Sequence, residues 1–452
     1  MQQTSGYSAK MKQFIKIVIP VLITQLGLYA MNFFDIAMSG RAGAEQLAGV
    51  AIGSSLWVPV FTGLNGILMA LTPIVSQLTG AGRKKDVPYS VIQAFYLSVI
   101  IVIIILGAGS VLLNPILDFM KLEEDVQNVA YGYLAALSIG ILPLFVYGAA
   151  RSYIDALGQT RITMFITLIA LPINAFLNYL FIFGKFGFPE MGGIGAGVAT
   201  AITYYVICGL SLYFIYKIEP FRSYRIFSRF PKPSFSAWRT QLKIGVPIGF
   251  SIFFEVSIFA AVTLLMSRFD TVTIAAHQSA LNFASFLYML PLSISFALTI
   301  AIGFEVGAKR FMDAVQYSYI GIMIAVAFAL FLSAVLLVFD SQVAGIYSDQ
   351  KEVVEMTKSF LLYAVFFQLA DAVGAPIQGA LRGYKDVNVT FMLSFISYWV
   401  LGLPVGYYLA NYTSMGAYGY WVGLISGLTA GAVILFMRMR YIQKRQFTQQ
   451  NI

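Results

Sequence analysis

Twelve stretches of this chain are each apolar over about 20 residues or more, the length an α-helix needs to cross roughly 30 Å of hydrocarbon. They lie at approximately residues 14–38, 46–79, 88–113, 126–150, 161–184, 193–216, 240–266, 273–305, 315–338, 357–381, 387–410 and 417–437. Inside a bilayer, backbone polar groups have no water to bond, so such stretches must satisfy them internally as helices. The expectation is an all-α integral membrane protein. The second and eighth stretches are longer than the core is thick, so each is tilted or runs past it. With 59% apolar and only 11% charged side chains, a soluble fold is excluded.

Cys208 is the only cysteine and His277 the only histidine, which leaves no disulfide frame, no clustered zinc site and no Cys/His catalytic pair. No GxxxxGK[ST] loop occurs, so no ATP drive and no ATPase partner are expected, and no enzyme. The net charge of +9 does not point to nucleic acid, because the basic residues are scattered between apolar stretches. Sorted by alternate loops, 23 of the 29 fall on the side of the amino terminus. The other side holds Arg41, Lys121, Lys185, Arg268, Lys351 and Lys358, and no Lys or Arg remains within a span. The positive-inside rule then puts both termini in the cytoplasm, in a cell inner or plasma membrane. Residues 1–13 are polar and lead directly into a full-length span, so no cleaved leader is expected.

The two halves of the chain repeat at a shift of about 227. Lys16 and Pro20 fall on Lys243 and Pro247, Arg41 on Arg268, and Gly80-Ala81-Gly82-Arg83 on Gly307-Ala308-Lys309-Arg310. Ala156-Leu157 matches Ala380-Leu381, and Gly195 matches Gly419, at a shift of 224. Six spans per repeat is an even number, so the halves share one orientation. This predicts two parallel six-helix bundles related by a pseudo-two-fold axis along the membrane normal, facing a central cleft. The lobes are residues 1–216 and 240–452, joined by a cytoplasmic linker at 217–239. Gly193-x-x-x-Gly197, Gly402-x-x-x-Gly406 and the run Gly423, Gly427, Gly431 suit close helix packing.

Charged groups at membrane depth are costly and tend to face a cavity, so function is sought there. Three acids qualify: Asp35 in the outer half of span one, Glu255 near the middle of span seven and Asp371 near the middle of span ten. Glu305 sits at a cytoplasmic helix end. Glu255 and Asp371 lie ~22 Å and ~16 Å from the inner ends of their spans, depths compatible with one shared site. An uncompensated carboxylate either holds a proton or recruits a cation, which couples it to an ion gradient. The alternative is isolated acids held neutral by hydrogen bonds. Asn174 and Asn178 share one helix face at i,i+4 spacing, and with Thr200 and Asp35 they suit a hydrogen-bonded cluster that reorganises on protonation, or simply tie helices together. His277 falls at an interface, where a proton-linked role is one reading. The 69 aromatic residues, Tyr288 among them, and 17 methionines suit an apolar cleft for a large, flat, lipophilic cation, beside their ordinary membrane-belt and packing roles.

The doubled six-span plan resembles the multidrug and toxic compound extrusion (MATE) family, in its NorM-type branch, over essentially the whole chain. The resemblance is carried by Asn32-Phe33-Phe34-Asp35, Phe253-Phe254-Glu255-Val256, Gln368-Leu369-Ala370-Asp371, the Asn174/Asn178 pair and Ala275-Ala276-His277-Gln278. It implies an antiporter that expels cationic drugs and dyes in exchange for Na+ or H+ by alternating access, with no other cofactor. It also implies that Glu255, Asp371 and Tyr288 form a cation site, with Na+ as the candidate ion on Glu255 and Asp371. Asp35, Asn174, Asn178 and Thr200 correspond to a polar cluster linked to protonation and to bending of the first span. Pro20 is the local weakness of that helix. A monomer in contact with membrane lipid, without nucleic acid, completes the expectation. A flippase for a lipid-linked precursor has a similar doubled plan, but pyrophosphate calls for basic residues where this chain offers acids. A channel does not require two rocking halves.

Overall fold

Apolar content and internal backbone bonding give helices along nearly the whole chain, and the computed structural model describes Thr4 and residues 6–450. In the first half, α1 is Tyr7–Ala42, α2 Ala44–Leu68, α3 Leu71–Gly80, α4 Val87–Phe119, α5 Glu124–Ser138, α6 Ile141–Ala156, α7 Thr160–Phe183 and α8 Gly192–Lys217. The connection carries a short turn, α9, at Phe221–Tyr224. In the second half, α10 is Phe235–Met266, α11 Thr271–Gly307, α12 Phe311–Val338, α13 Asp340–Tyr347, α14 Lys351–Gly383, α15 Val387–Phe395, α16 Leu403–Tyr412 and α17 Tyr418–Gln450. Among the described residues, eleven helices, counted as spans, are long and apolar enough to cross a membrane, and α5 with α6, bent by 53°, makes the twelfth. The protein is an all-α, multi-pass membrane protein.

Two spans depart from the simple rods that apolar runs suggest. The second breaks at Met69 and Ala70, between α2 and α3. The eleventh widens into a π-helical stretch at Ile396–Gly402, between α15 and α16. Helix ends also run past the apolar segments, because a helix continues through its first polar residues while hydropathy does not. As a result α6 includes Arg151 and Asp155, and α14 includes Arg382. The expectation that no basic residue lies within a span is therefore corrected.

The chain forms two compact units. One comprises Ile19–Gly249; the other comprises the residues up to Val18 and those from Phe250 onward. Each divide falls within two or three residues of a helix proline, Pro20 in α1 and Pro247 in α10. α1 nevertheless runs unbroken through Pro20, and Thr24 Oγ1 donates to the Pro20 carbonyl at 2.9 Å. In the second unit, the start of α1 is held by an ion pair and a neutral hydrogen bond: buried Lys10 pairs with Asp313 at 2.8 Å, and Tyr317 donates to Gln13 at 2.7 Å. In the first unit, the start of α10 is held by neutral amides, Gln241 donating to the Ser90 carbonyl and Gln93 to that of Lys232, both at 2.8 Å.

The turn geometry repeats at a constant shift of 227. Gly82 N donates to Thr79 O and Arg83 N to Leu78 O, as Lys309 N does to Val306 O and Arg310 N to Glu305 O. Gly158 N donates to Asp155 O and Gln159 N to Ile154 O, as Lys385 N does to Arg382 O and Asp386 N to Leu381 O. The same shift relates Thr72 Oγ1 donating to the Ser152 carbonyl and Thr299 Oγ1 donating to that of Gly379. The Ala156-Leu157 match at 224 is thus corrected to 227, which places Asp155 opposite Arg382. The slip to 224 falls later: Gly195 lies against Phe181 and Gly419 against Leu409 and Ala410, so each glycine meets the helix before it. Gly406 and Gly423 pack backbone to backbone, and a Cβ on Gly423 would collide with Gly406.

Candidate functional site

In the first unit, α1 carries Asp35, α7 carries Asn174 and Asn178, and α8 carries Thr200. Pro172 lies in α7 two and six residues before the two amides, which stay on one helical face. The four side chains meet. Asn178 Nδ2 donates to Asp35 Oδ1 at 2.6 Å, and Thr200 Oγ1 donates to Asp35 Oδ2 at 2.7 Å. Asn174 joins them, donating to Thr200 Oγ1 at 3.4 Å and accepting from Asn178 at 3.3 Å. All four residues are buried, and both carboxyl oxygens of Asp35 have a neutral donor.

In the second unit, α10 carries Glu255, α11 Tyr288 and α14 Asp371. Tyr288 Oη donates to Glu255 Oε1 at 2.8 Å. Buried Asp371 interacts electrostatically with Glu255, and its carboxyl has no hydrogen-bond donor among the described residues. Unlike Asp35, this acid pair keeps oxygen ligands free. Beside it lies a small apolar cavity lined by Glu255, Ile258, Phe259, Tyr398, Gly402, Leu424, Gly427 and Leu428. Oxygen ligands from carboxylates and a hydroxyl suit a hard monovalent cation better than a soft transition metal. No group of three His, Cys, Asp or Glu side chains suited to a metal ion occurs among the described residues.

Sequence reasoning missed four residues. Tyr398 stands in the π-helical stretch, where an extra residue per turn redirects side chains, and its hydroxyl accepts from Gln378 Nε2 at 3.3 Å. Gln378 and Arg382 follow Asp371 at i+7 and i+11, a spacing visible in the sequence that puts all three on one face of α14. In the first unit, buried Asp155 was missed; it accepts from Thr163 Oγ1 at 2.8 Å and pairs with Arg151 at 3.4 Å.

His277 lies in the second turn of α11 and is fully buried within the protein, with Phe360 and Trp421 against its ring. Trp421 Nε1 donates to its Nδ1 at 3.1 Å, and Nε2 lies 3.2 Å from Thr263 Oγ1. Because indole only donates, Nδ1 carries no proton and the ring is neutral. This histidine ties helices together.

Outside the spans, burial pushes the Lys385 ammonium down to about 8 and the Tyr384 phenol up to about 12. Asp270, which accepts from the Thr273 backbone N–H at the start of α11, is held below the usual carboxylate range by that bond.

A family model described as MatE matches residues 20–180 and again 247–408, two copies whose starts lie 227 residues apart. The chain belongs to the MATE family. Relatives described as probable multidrug resistance protein NorM come from Bacillus licheniformis, at 58% identity, and Bacillus subtilis strain 168, at 57%. Both alignments cover 100% of each chain. A solved structure described as the outward-facing conformation of a multidrug resistance MATE family transporter superposes with a TM-score of 0.89. It has 18% identity and covers 99% of this chain and 100% of that one. MATE proteins are membrane transporters, not enzymes, and the twofold match agrees with the repeat read from the turns.

Proposed function

We propose that this MATE protein is a multidrug efflux antiporter, exporting lipophilic organic cations in exchange for Na+ by alternating access of its two lobes. Glu255 and Asp371 hold the ion, and Tyr288 orients Glu255. The observation that carries this reading is the buried carboxylate of Asp371, beside Glu255, with no donor among the described residues. Two adjacent anions in a low-dielectric interior repel, and a small cation between them removes both that repulsion and their desolvation penalty. Occupancy of the pair then biases the lobes toward one access state, while the drug cation binds in an aromatic cleft by dispersion, cation–π attraction and charge. Pro20 and Pro247 lie where the chain passes between units, which suits bending of α1 and α10 there.

The competing reading is H+ coupling through Asp35, favoured by the donors arranged around it: protonation would break the bond from Asn178, or break or reverse that from Thr200, and so change how α1 is held to α7 and α8. A flippase for a pyrophosphate-linked lipid is disfavoured by the acids. The proposed setting is the cell membrane, with both termini cytoplasmic and a monomer surrounded by lipid. Drug efflux in vesicles with an imposed sodium gradient and no pH gradient tests the reading. Sodium-driven transport is expected, and its absence would reject sodium coupling.

A further inference from the structure

One buried cation is used by none of the roles above. Arg382 lies in the last turn of α14, only 8% exposed, and its Nη1 has no hydrogen-bond partner among the described residues. An unbonded guanidinium donor in an apolar interior is costly, so its placement calls for a reason.

The reason lies along one face of α14. Gln368, Asp371, Gln378 and Arg382 occupy positions i, i+3, i+10 and i+14 of a single helical stripe, with Ala375 at i+7. All four polar side chains are buried in a span. Helical side chains lean toward the helix amino terminus, which directs the long Arg382 side chain back along the stripe toward Gln378. From a neighbouring helix, Glu255 interacts electrostatically with Arg382. The site therefore combines two carboxylates with an internal cation.

We infer that Arg382 is the resident counter-cation of the acid site, balancing Glu255 whenever the coupling ion is absent. A bare acid pair would bind a cation tightly and release it slowly. With a guanidinium nearby, the ion-free state is already partly neutralised, so the ion binds more weakly and leaves faster. Arg382 acts through Glu255 and is a positioning residue for the exchange. The inference rests on the coupling role proposed above for Glu255 and Asp371.

The test is efflux from vesicles, energised by the ion that drives the wild-type chain, with the half-saturating ion concentration and maximal rate read separately. In Arg382→Met, half-saturation is expected to fall about tenfold, with a lower maximal rate, because an opposing charge has been removed from the site. Arg382→Lys keeps the charge and is expected to stay near wild type in both. Unchanged or raised half-saturation in Arg382→Met, or Arg382→Lys behaving like it, overturns the inference. If Arg382→Met does not accumulate, the double variant Glu255→Gln/Arg382→Met is compared with it. Mutual neutralisation predicts recovered yield and thermal stability, and a double variant no better than the single overturns the inference. Failure of the underlying reading looks different: Glu255→Gln or Asp371→Asn would then keep full ion-driven efflux.

Discussion

The two units treat a buried acid in opposite ways. Asp35 is enclosed by neutral donors, one on each carboxyl oxygen, and Asn174 closes the network behind them. Glu255 has one donor, Tyr288, and Asp371 has none among the described residues. A fully bonded carboxylate is held by its own fold, whereas an under-bonded pair favours a partner from outside. The same repeat has thus given rise to a self-contained polar cluster in one unit and an under-bonded acid pair in the other. A related contrast appears at one aligned position, where Asp155 in the first unit, paired with Arg151, stands opposite Arg382 in the second.

Substitutions should therefore separate the units. The largest effect is expected from Asp371→Asn and Glu255→Gln, which should each reduce ion-driven efflux by about tenfold or more, since each removes half of the anionic charge that the cation neutralises. Asp35→Asn should act differently, slowing maximal efflux several-fold while leaving the half-saturating sodium concentration near wild type. Equal loss of sodium response in Asp35→Asn would erase the distinction.

Stability sharpens the comparison on a smaller scale. Thr299 Oγ1 donates to the Gly379 carbonyl at 2.9 Å, and its counterpart Thr72 to the Ser152 carbonyl at 3.4 Å. Thr299→Val should cost ~1 kcal/mol in thermal unfolding and Thr72→Val less, because the longer bond is weaker. Lys385 takes the left-handed conformation, φ 61°, that Gly158 takes in the other half, φ 74°. Lys385→Gly should therefore stabilise the protein by about 1 kcal/mol, by relieving that backbone strain.

Lys385 also predicts a pH dependence. Its folded value of about 8 lies below that of an ordinary lysine, so below pH 8 the native state carries the full penalty of a buried charge. Above that, the native chain releases the proton while the unfolded chain still holds it, and stability rises with pH until about 10.4. Thermal melts across this window should show the rise in wild type and its loss in Lys385→Gly. A flat wild-type profile would contradict it.

Much of this was legible in the sequence, for identifiable reasons. Apolar runs mark the spans because water is absent there, and Asp35, Glu255 and Asp371 stand out because almost nothing else charged lies at their depth. The Asn174/Asn178 spacing was sufficient to put both amides on one face. Packing between helices was not legible. Nothing local announces the bend between α5 and α6, the break at Met69, or the π-helical turn that brings Tyr398 to Gln378. Arg382 looked like a loop residue because an apolar run ends before its helix does. The burial of His277 was not legible because its cover, Phe360 and Trp421, comes from distant segments.

The most direct test is equilibrium binding of radioactive sodium to the purified protein and its variants. Wild type and Asp35→Asn should bind with similar affinity, while Glu255→Gln and Asp371→Asn should show no saturable binding. Sodium retained after loss of either second-unit acid, or lost when only Asp35 is changed, would contradict the assignment of the cation to the under-bonded pair.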